Sequence, residues 1–469
     1  VDIYHLNKVT TSSNYTWISG DRKSATRIDK AFIHNSKKGL VSHFATICQP
    51  RISDHNPISF ALCGAPLDRP PRGPCFWRLN PFHLKDEAFV KVLRDLALNA
   101  LEVECGPVDR WIIFKRACVS LCKKVQALKR VERYLLVDRA TEVVQKADPL
   151  DPASESIFSK WREVKDEEYK FKRLQAGAKY VNLEEMASKT LTKILKAREA
   201  QRLIGPTFHI EKNKVVEKAE EIVDGFFCYY KKLYAPKPIS WASLRVLTWK
   251  ISRKIKVEDR ASIMKPTTPT EVIATIKSID GLKSPGPDGL SPQIYKTLLE
   301  RIAPLLSDCY NSLLRGAPIP EEMKEDIIST IYKGKGDPQN IDSRRPITLL
   351  NVDYKIFTKI IINRIKPLLP DIILPSQNGF VQNRWIIDNI ITFNEVASMA
   401  KQSPRYKRSC ATLIDFVRAF DSISHSALLN VLHHFGFPGR FVSLIKELLS
   451  NSTAKVRVNN FLTEPISIR

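Results

Sequence analysis

The chain has 469 residues, enough for two to three domains, and its 43% hydrophobic and 26% charged content excludes wholesale disorder. The formal net charge of +24 points to a polyanionic partner, either nucleic acid or an anionic membrane surface. No apolar run approaches about 18 residues, so no membrane span is expected. The nine cysteines are scattered with no CxxC pair or zinc-knuckle spacing, which fits reduced thiols in an intracellular setting, nucleus or cytoplasm. The opening Val1-Asp2-Ile3-Tyr4-His5 has neither an initiator Met nor a signal-peptide pattern and reads as a chain cut from something longer.

In chain order, residues 1–64 read as the end of an α/β domain, with Ile58-Ser59-Phe60-Ala61-Leu62 alternating as a strand does. Pro66, Pro70, Pro71, Gly73 and Pro74 mark a linker. Residues 65–260 form this linker and a basic helical connector. Between Arg110 and Arg133 eight Lys or Arg face one acid, Glu132, interleaved with Trp111, Phe114 and Val119. Such a run is either a solvated helix face or a nucleic-acid-facing one, and its single sign favours the latter. Asp148-Pro149-Leu150-Asp151-Pro152 breaks the helical region in two, and a second helical stretch runs from Glu155 to about Arg202.

Residues 261–469 change texture. Thr268-Pro269-Thr270-Glu271 is a helix-start signal. Lys283-Ser284-Pro285-Gly286-Pro287-Asp288-Gly289 is a rigid turn-rich loop, followed by a helix over about Pro292–Leu314. Ile327–Tyr332 reads as a strand. Val352, Ile356, Ile360, Ile361 and Ile365 recur at helical spacing, and another helix covers about Asp388–Lys401. Ala411-Thr412-Leu413-Ile414 is expected to be a short buried strand ending in Asp415. Helices over about 426–435 and 438–449 and a hairpin around Asn459-Asn460 complete the chain.

A carboxylate at the mouth of a buried strand is costly unless a cation or hydrogen bonds compensate it. Mg²⁺ takes hard oxygen ligands, commonly one or two carboxylates plus substrate phosphate oxygens. Asp415 is therefore half of a plausible metal site. The competing reading is an Asp that caps the following helix, which suits Asp421 better.

The run Leu413-Ile414-Asp415-Phe416-Val417-Arg418-Ala419-Phe420-Asp421 resembles the first catalytic motif of reverse transcriptases. The loop 283–289, the run Arg344-Arg345-Pro346-Ile347-Thr348-Leu349-Leu350-Asn351 with Tyr354-Lys355-Ile356, and Ser376-Gln377-Asn378-Gly379-Phe380-Val381 with Asp388-Asn389-Ile390 are similar to the fingers motifs of the LINE-type (non-LTR) retrotransposon enzymes, in the same order. The resemblance implies fingers and a partial palm over 261–469. It implies Asp415 as ligand of the catalytic Mg²⁺, Phe420 as the aromatic that selects deoxynucleotides, and Arg418 and Asp421 in support. Arg345, Lys355 and Gln377 would face template or nucleotide, with RNA template, DNA target or primer and deoxynucleoside triphosphates as partners and no membrane. For Arg345 and Lys355 a plain surface charge, and for 285–289 an ordinary turn, remain alternative readings.

Upstream, Tyr15-Thr16-Trp17, Arg27-Ile28-Asp29 and Ser53-Asp54-His55-Asn56-Pro57-Ile58 are similar to the C-terminal part of the exonuclease–endonuclease–phosphatase family, a layered α/β sandwich. By that resemblance His55 contacts the scissile phosphate, Asp29 orients it, Asp54 adjoins the metal and phosphate site, and Trp17 is core. Phe76-Trp77-Arg78-Leu79-Asn80 resembles the start of the segment between the two domains. The whole is expected to be α+β and multidomain: nuclease remnant, basic helical connector, then fingers and partial palm.

Both sites are expected to be incomplete. The nuclease family's earlier metal-binding motifs have no counterpart here, and the polymerase family's aromatic-x-Asp-Asp hairpin is missing, since no Asp-Asp dipeptide occurs in the sequence. The chain alone is thus expected not to polymerise DNA. A non-catalytic nucleic-acid-binding relic, or a domesticated fragment of such an element, is the alternative. A truncated palm is expected to leave disorder or exposed hydrophobics near Ile466 and Ile468.

Overall fold

In a computed structural model, the structure describes residues 2, 15–19, 24–46, 55, 58–62, 73, 76–147, 151–175, 203–406 and 409–468. Asp54, the prolines of the linker at 66, 70, 71 and 74, and the helical continuation from 176 to 202 lie outside the described residues. The chain divides into two compact units. One comprises Val1–Arg69, Asn80–His83 and Leu121–Met186, the other Pro70–Leu79, Leu84–Ser120 and Ala187–Arg469.

In the first unit β1 (Trp17–Ile18) pairs antiparallel with β2 (Ala25–Thr26), and β3 (Val41–Thr46) with β4 (Ile58–Leu62). The expected strand at Ile58–Leu62 is present. The helix Pro107–Lys146 ends in this unit. After a turn in which Asp151 Oδ1 accepts from Ala153 N at 2.9 Å, the helix Glu155–Gln175 follows. Val144, Phe158 and Trp161 bury one another, and Trp161 Nε1 donates to Thr141 Oγ1 at 3.3 Å. The break at Asp151-Pro152 thus makes a helical pair.

The second unit is built on a mixed sheet. β7 (Glu325–Tyr332) pairs antiparallel with β8 (Arg344–Leu350) and parallel with β9 (Thr453–Val458), and both β10 (Phe461–Leu462) and β11 (Ile466–Ser467) pair antiparallel with β9. The β9–β10 turn has Asn459 and Asn460 at φ of 49° and 73°, the left-handed geometry that Asn tolerates and hairpins require. The Asn459 amide also clasps the chain at Ile204, accepting from its N–H at 2.9 Å and donating to its carbonyl at 2.7 Å. Beneath the sheet lies the helix Ala219–Leu233, and Ile222, Phe226 and Tyr230 form a core with Ile328, Ala454, Val456, Val458 and Ile466.

Four expectations need correction. A hairpin, β5 (Thr207–His209) with β6 (Lys214–Val216), interrupts the region read as helical, because Gly205-Pro206 ends helical geometry and Val215-Val216 favours extended backbone. The expected 292–314 helix is two, Pro292–Thr297 and Leu299–Leu314, with Leu298 between them outside helical geometry. Residues 411–414 are not a buried strand: Leu413 is 90% exposed, Ile414 76%, and no described strand lies beside them to take their backbone hydrogen bonds. Ile466 is instead 3% exposed and paired to Ala454, and Ile468 packs on the same core, while runs of exposed apolar side chains occur at 385–399 and 413–420.

The other core of this unit holds a buried charge cluster. Lys115 Nζ lies 2.8 Å from Asp353 Oδ2 and 3.0 Å from Asp288 Oδ2, with all three side chains under a tenth exposed. Trp111 Nε1 donates to Asp353 Oδ2 at 3.0 Å, and Tyr310 Oη to the Asp353 carbonyl at 2.8 Å. Burial opposes the Lys115 charge, but Asp353 and Asp288 together raise the ammonium above the ordinary lysine range. Burial also raises Asp288, which Lys115 only partly offsets. Removing one partner of a buried pair strands the others, at a cost of about 3–5 kcal/mol. Lys115→Met is therefore expected to lower stability by about that amount in urea unfolding, with part of the loss recovered in Lys115→Met/Asp353→Asn. A change below about 0.5 kcal/mol would show that the cluster is not a stabilising contact.

Candidate functional site

Asp415 stands on exposed, irregular backbone, and the next few residues tie it to the folded body. Arg418 has φ +53°, a strained value for a long side chain, and its guanidinium lies 4.8 Å from the Tyr229 ring centroid while its Nη2 donates to Asp342 Oδ1. Tyr229 Oη donates to the same Asp342 oxygen at 2.6 Å. Burial lowers the Arg418 pKa, and Asp421 opposes that shift. Tyr234 Oη lies 3.4 Å from Asp421 Oδ1. Tyr229 of the helix Ala219–Leu233 and Tyr234 at its C-cap thus contact the two residues read as supports for Asp415. Asp421 does not cap the next helix. Ser424 does, its hydroxyl accepting from Ala427 N in front of His425–His434, and Asp421 lies instead on the wall of a cavity of about 480 Å³ with Lys237, His425 and Lys446.

Two of the expected motifs meet. Phe420 and Phe380, both largely exposed, form an edge-to-face pair with centroids 6.3 Å apart, and Phe380 has φ +62°. Gln377 is exposed and its Nε2 donates to the Gly379 carbonyl at 3.3 Å. This segment is held by Arg384, whose guanidinium donates to the carbonyls of Pro370, Ile373, Leu374 and Gln377. Asn378 and Asn389 join across 2.7 Å.

The alternation of β8 separates its two arginines. Arg344 points inward, 4% exposed, donating to Thr330 Oγ1, while Arg345 is exposed. Register pairs Arg345 with Ile331, Lys455 with Ile327 and Arg457 with Ser329, so the three cations share one face of the sheet. Lys355 is half-buried, and its Nζ reaches the Ser284 carbonyl at 3.5 Å. Burial lowers its pKa, which Asp288 opposes.

The loop 283–289 is a structural joint. Asp288 Oδ1 accepts from Leu290 N at 2.9 Å, Asn351 Oδ1 accepts from Asp288 N at 3.1 Å, and Gly289 at φ +73° lies against Trp77, where a Cβ would come within 2.3 Å of the ring. Sequence reasoning missed Lys115, Asp353, Arg384, Asp342, Tyr229 and Tyr234. In the first unit His55 Nδ1 lies 2.7 Å from Asp29 Oδ2, and the buried Thr16 accepts from Asp29 N at 2.8 Å. The His55 hydrogen bond, above all, lowers the Asp29 pKa, while burial opposes it.

Asp326 on β7 is displaced toward neutrality. Burial pushes its pKa from 3.8 to about 7 against the pull of Lys355, and its Oδ1 is buried without a hydrogen-bond partner among the described residues. A raised carboxyl stabilises fully below its unfolded value and loses that contribution as pH rises through the folded one. Stability is therefore expected to fall from 3.8 toward about 7. Asp326→Asn should flatten that slope and raise stability at alkaline pH by about 1–3 kcal/mol, read as chemical denaturation across pH. An unchanged slope would remove Asp326 as its source.

Residues 332–466 match the family described as reverse transcriptase (RNA-dependent DNA polymerase). Across its full length the chain is 26% identical to a transposon TX1 uncharacterized 149 kDa protein of Xenopus laevis, covering 36% of that protein. Over 44% of the chain it is 29% identical to a probable RNA-directed DNA polymerase from transposon BS of Drosophila melanogaster, covering 23% of it. Over 41% of the chain it is 29% identical to a putative 115 kDa protein in type-1 retrotransposable element R1DM of the same fly, covering 18% of it. The chain spans about a third or less of the length of these curated relatives. It is a relative of the proteins of LINE-type (non-LTR) retrotransposons, with a reverse transcriptase family segment at residues 332–466.

Proposed function

We propose that this chain is part of an RNA-directed DNA polymerase of a LINE-type retrotransposon, supplying fingers and part of the palm over 261–469. The observation that carries the reading is the segment around Asp415, inside the family match, whose flanking Arg418 and Asp421 meet Tyr229 and Tyr234 at the end of one helix while Phe420 meets Phe380 of the preceding motif. The cationic sheet face of Arg345, Lys455 and Arg457 suits a phosphate backbone. Residues 65–260 are proposed as linker and basic connector. Residues 1–64 are proposed as the end of an exonuclease–endonuclease–phosphatase-type domain, supported by the Asp29–His55 pair, an arrangement that lets an imidazole donate to a scissile phosphate.

Asp415 offers one hard oxygen donor to Mg²⁺, and nucleotide phosphates could fill further positions. A two-ion site needs more carboxylates, and no group of three metal-capable side chains among the described residues includes Asp415. The donor set is therefore short of a working centre, and no chemical step runs through it. The chain's own contribution is to present Asp415, to stack and select with Phe420, and to hold template with its basic face. In this reading the chain by itself binds RNA without extending a primer.

Two measurements test this. Binding of single-stranded RNA should weaken with salt, and Arg345→Ala/Arg457→Ala should reduce the magnitude of the log–log slope by about 1–2. An unchanged slope would move the binding face elsewhere. In primer extension with Mg²⁺ on an RNA template, this chain should be inactive, and a version carrying additional downstream polyprotein should gain activity that Asp415→Ala abolishes. Robust extension by the chain alone, lost on Asp415→Ala, would sink the incomplete-site reading. Inactivity of every extended version would favour the non-catalytic relic.

A further inference from the structure

His209, Asp224 and Cys228 bring three unlike donors together, with their ligand atoms within 4.8 Å of one another. Asp224 and Cys228 are four residues apart on the helix Ala219–Leu233 and so share a face. His209 ends β5 and is 1% exposed. The imidazole lies beside Gly225 of that helix. His209 Nε2 lies 3.0 Å from Asp224 Oδ2, and Cys228 Sγ lies 3.8 Å from Asp224 Oδ1. The edges of a tetrahedron around zinc with these ligand types are about 3.3–3.8 Å, so small side-chain shifts meet that shape. Glu211 adds a second carboxylate near the Cys228 thiol. The nearby cation is already engaged, Lys212 Nζ being 2.9 Å from Glu221 Oε1.

We propose that His209, Asp224 and Cys228 form a structural site for a divalent ion of the zinc class, with Glu211 or water in the fourth position. Mixed nitrogen, sulfur and oxygen donors suit zinc and disfavour Mg²⁺ or Ca²⁺. On binding, the thiol loses its proton to solvent. The imidazole moves its proton from Nε2 to Nδ1, and the metal forms bonds to Sγ, Nε2 and a carboxylate oxygen, for a net release of one proton. Burial, with Glu211 and Asp224, holds the free thiol up at about 11, so it is protonated when no metal competes. The tautomer change gives up the hydrogen bond from Lys212 N to His209 Nδ1, a long one at 3.3 Å. That loss is worth roughly tenfold in affinity, against roughly seven or more orders of magnitude for structural zinc binding. A bound ion would pin the β5–β6 hairpin to the helix whose Tyr229 reaches Asp342 and whose C-cap Tyr234 reaches Asp421.

The test is zinc and cobalt titration of the purified chain after chelator treatment. One zinc per chain is expected, with a zinc-dependent rise in melting temperature reversed by chelator. Cobalt should give a thiolate charge-transfer absorption. Cys228→Ser should abolish that absorption, and Cys228→Ser and Asp224→Asn should each weaken zinc binding at least tenfold. Circular dichroism checks that these near-isosteric variants remain folded. Absence of uptake, or zinc affinity in both variants within twofold of the unaltered chain, would overturn the proposal and leave the cluster as a hydrogen-bonded contact only.

Discussion

One ammonium inside the protein organises much of the second unit. Lys115 reaches Asp353 across 238 positions of sequence and Asp288 across a shorter span, and each belongs to a different element. The cation sits on the helix Pro107–Lys146, one acid in the 283–289 loop, and the other at the start of the helix Val352–Ile365. A charge so buried is tolerated only when its partners are fixed, and here Trp111 and the Leu290 amide fix them. The loop that resembles a polymerase fingers motif therefore owes its shape to a residue of the basic helix upstream. Basic character and structural role coexist in that helix: Lys115 faces inward, while its neighbour Arg116 pairs with Glu322 at the surface.

A similar logic supports Asp415. The acid itself has no ordered strand behind it, and its placement comes from the residues on its C-terminal side. Tyr229 and Asp342 engage Arg418, Tyr234 engages Asp421, and Phe420 leans on Phe380. Two of these contacts come from Tyr229 of the helix Ala219–Leu233 and from Tyr234 at its C-cap, and that helix is itself seated on the sheet by Phe226 and Tyr230. Packing of a helix far upstream in sequence thereby orders the surroundings of the Asp415 segment.

Periodicity made the local elements readable. The apolar repeat from Val352 to Ile365, the strand at Ile327–Tyr332, the Thr268 cap and the Asn459-Asn460 turn all stand where residue pattern put them. Long-range pairings were not readable. Asp353 looks like an ordinary acid in a first helical turn, and nothing near it in sequence announces Lys115. Glu271 fits a capping signal, yet its carboxylate clamps Arg364 in a two-point contact of 2.9 and 2.7 Å. The apolar run 411–414 misled for the opposite reason. β-Propensity describes how a segment fits a neighbouring strand, and among the described residues there is none for it to fit. Asp415, Phe420, Arg345 and Gln377 were singled out by resemblance, from motif spacing along the chain, whereas the contacts around Arg418, Phe420 and Asp421 are set by the fold.

Asn459 carries two duties that ordinarily fall to different residues. Turn geometry alone would accept Gly or Asp there. The clasp on Ile204 would not, because it needs one acceptor and one donor on the same side chain. Glycine would supply neither, and aspartate would set a second acceptor against the Ile204 carbonyl. A site that looks permissive by backbone rules is thereby narrowed to a side chain that both donates and accepts at short reach.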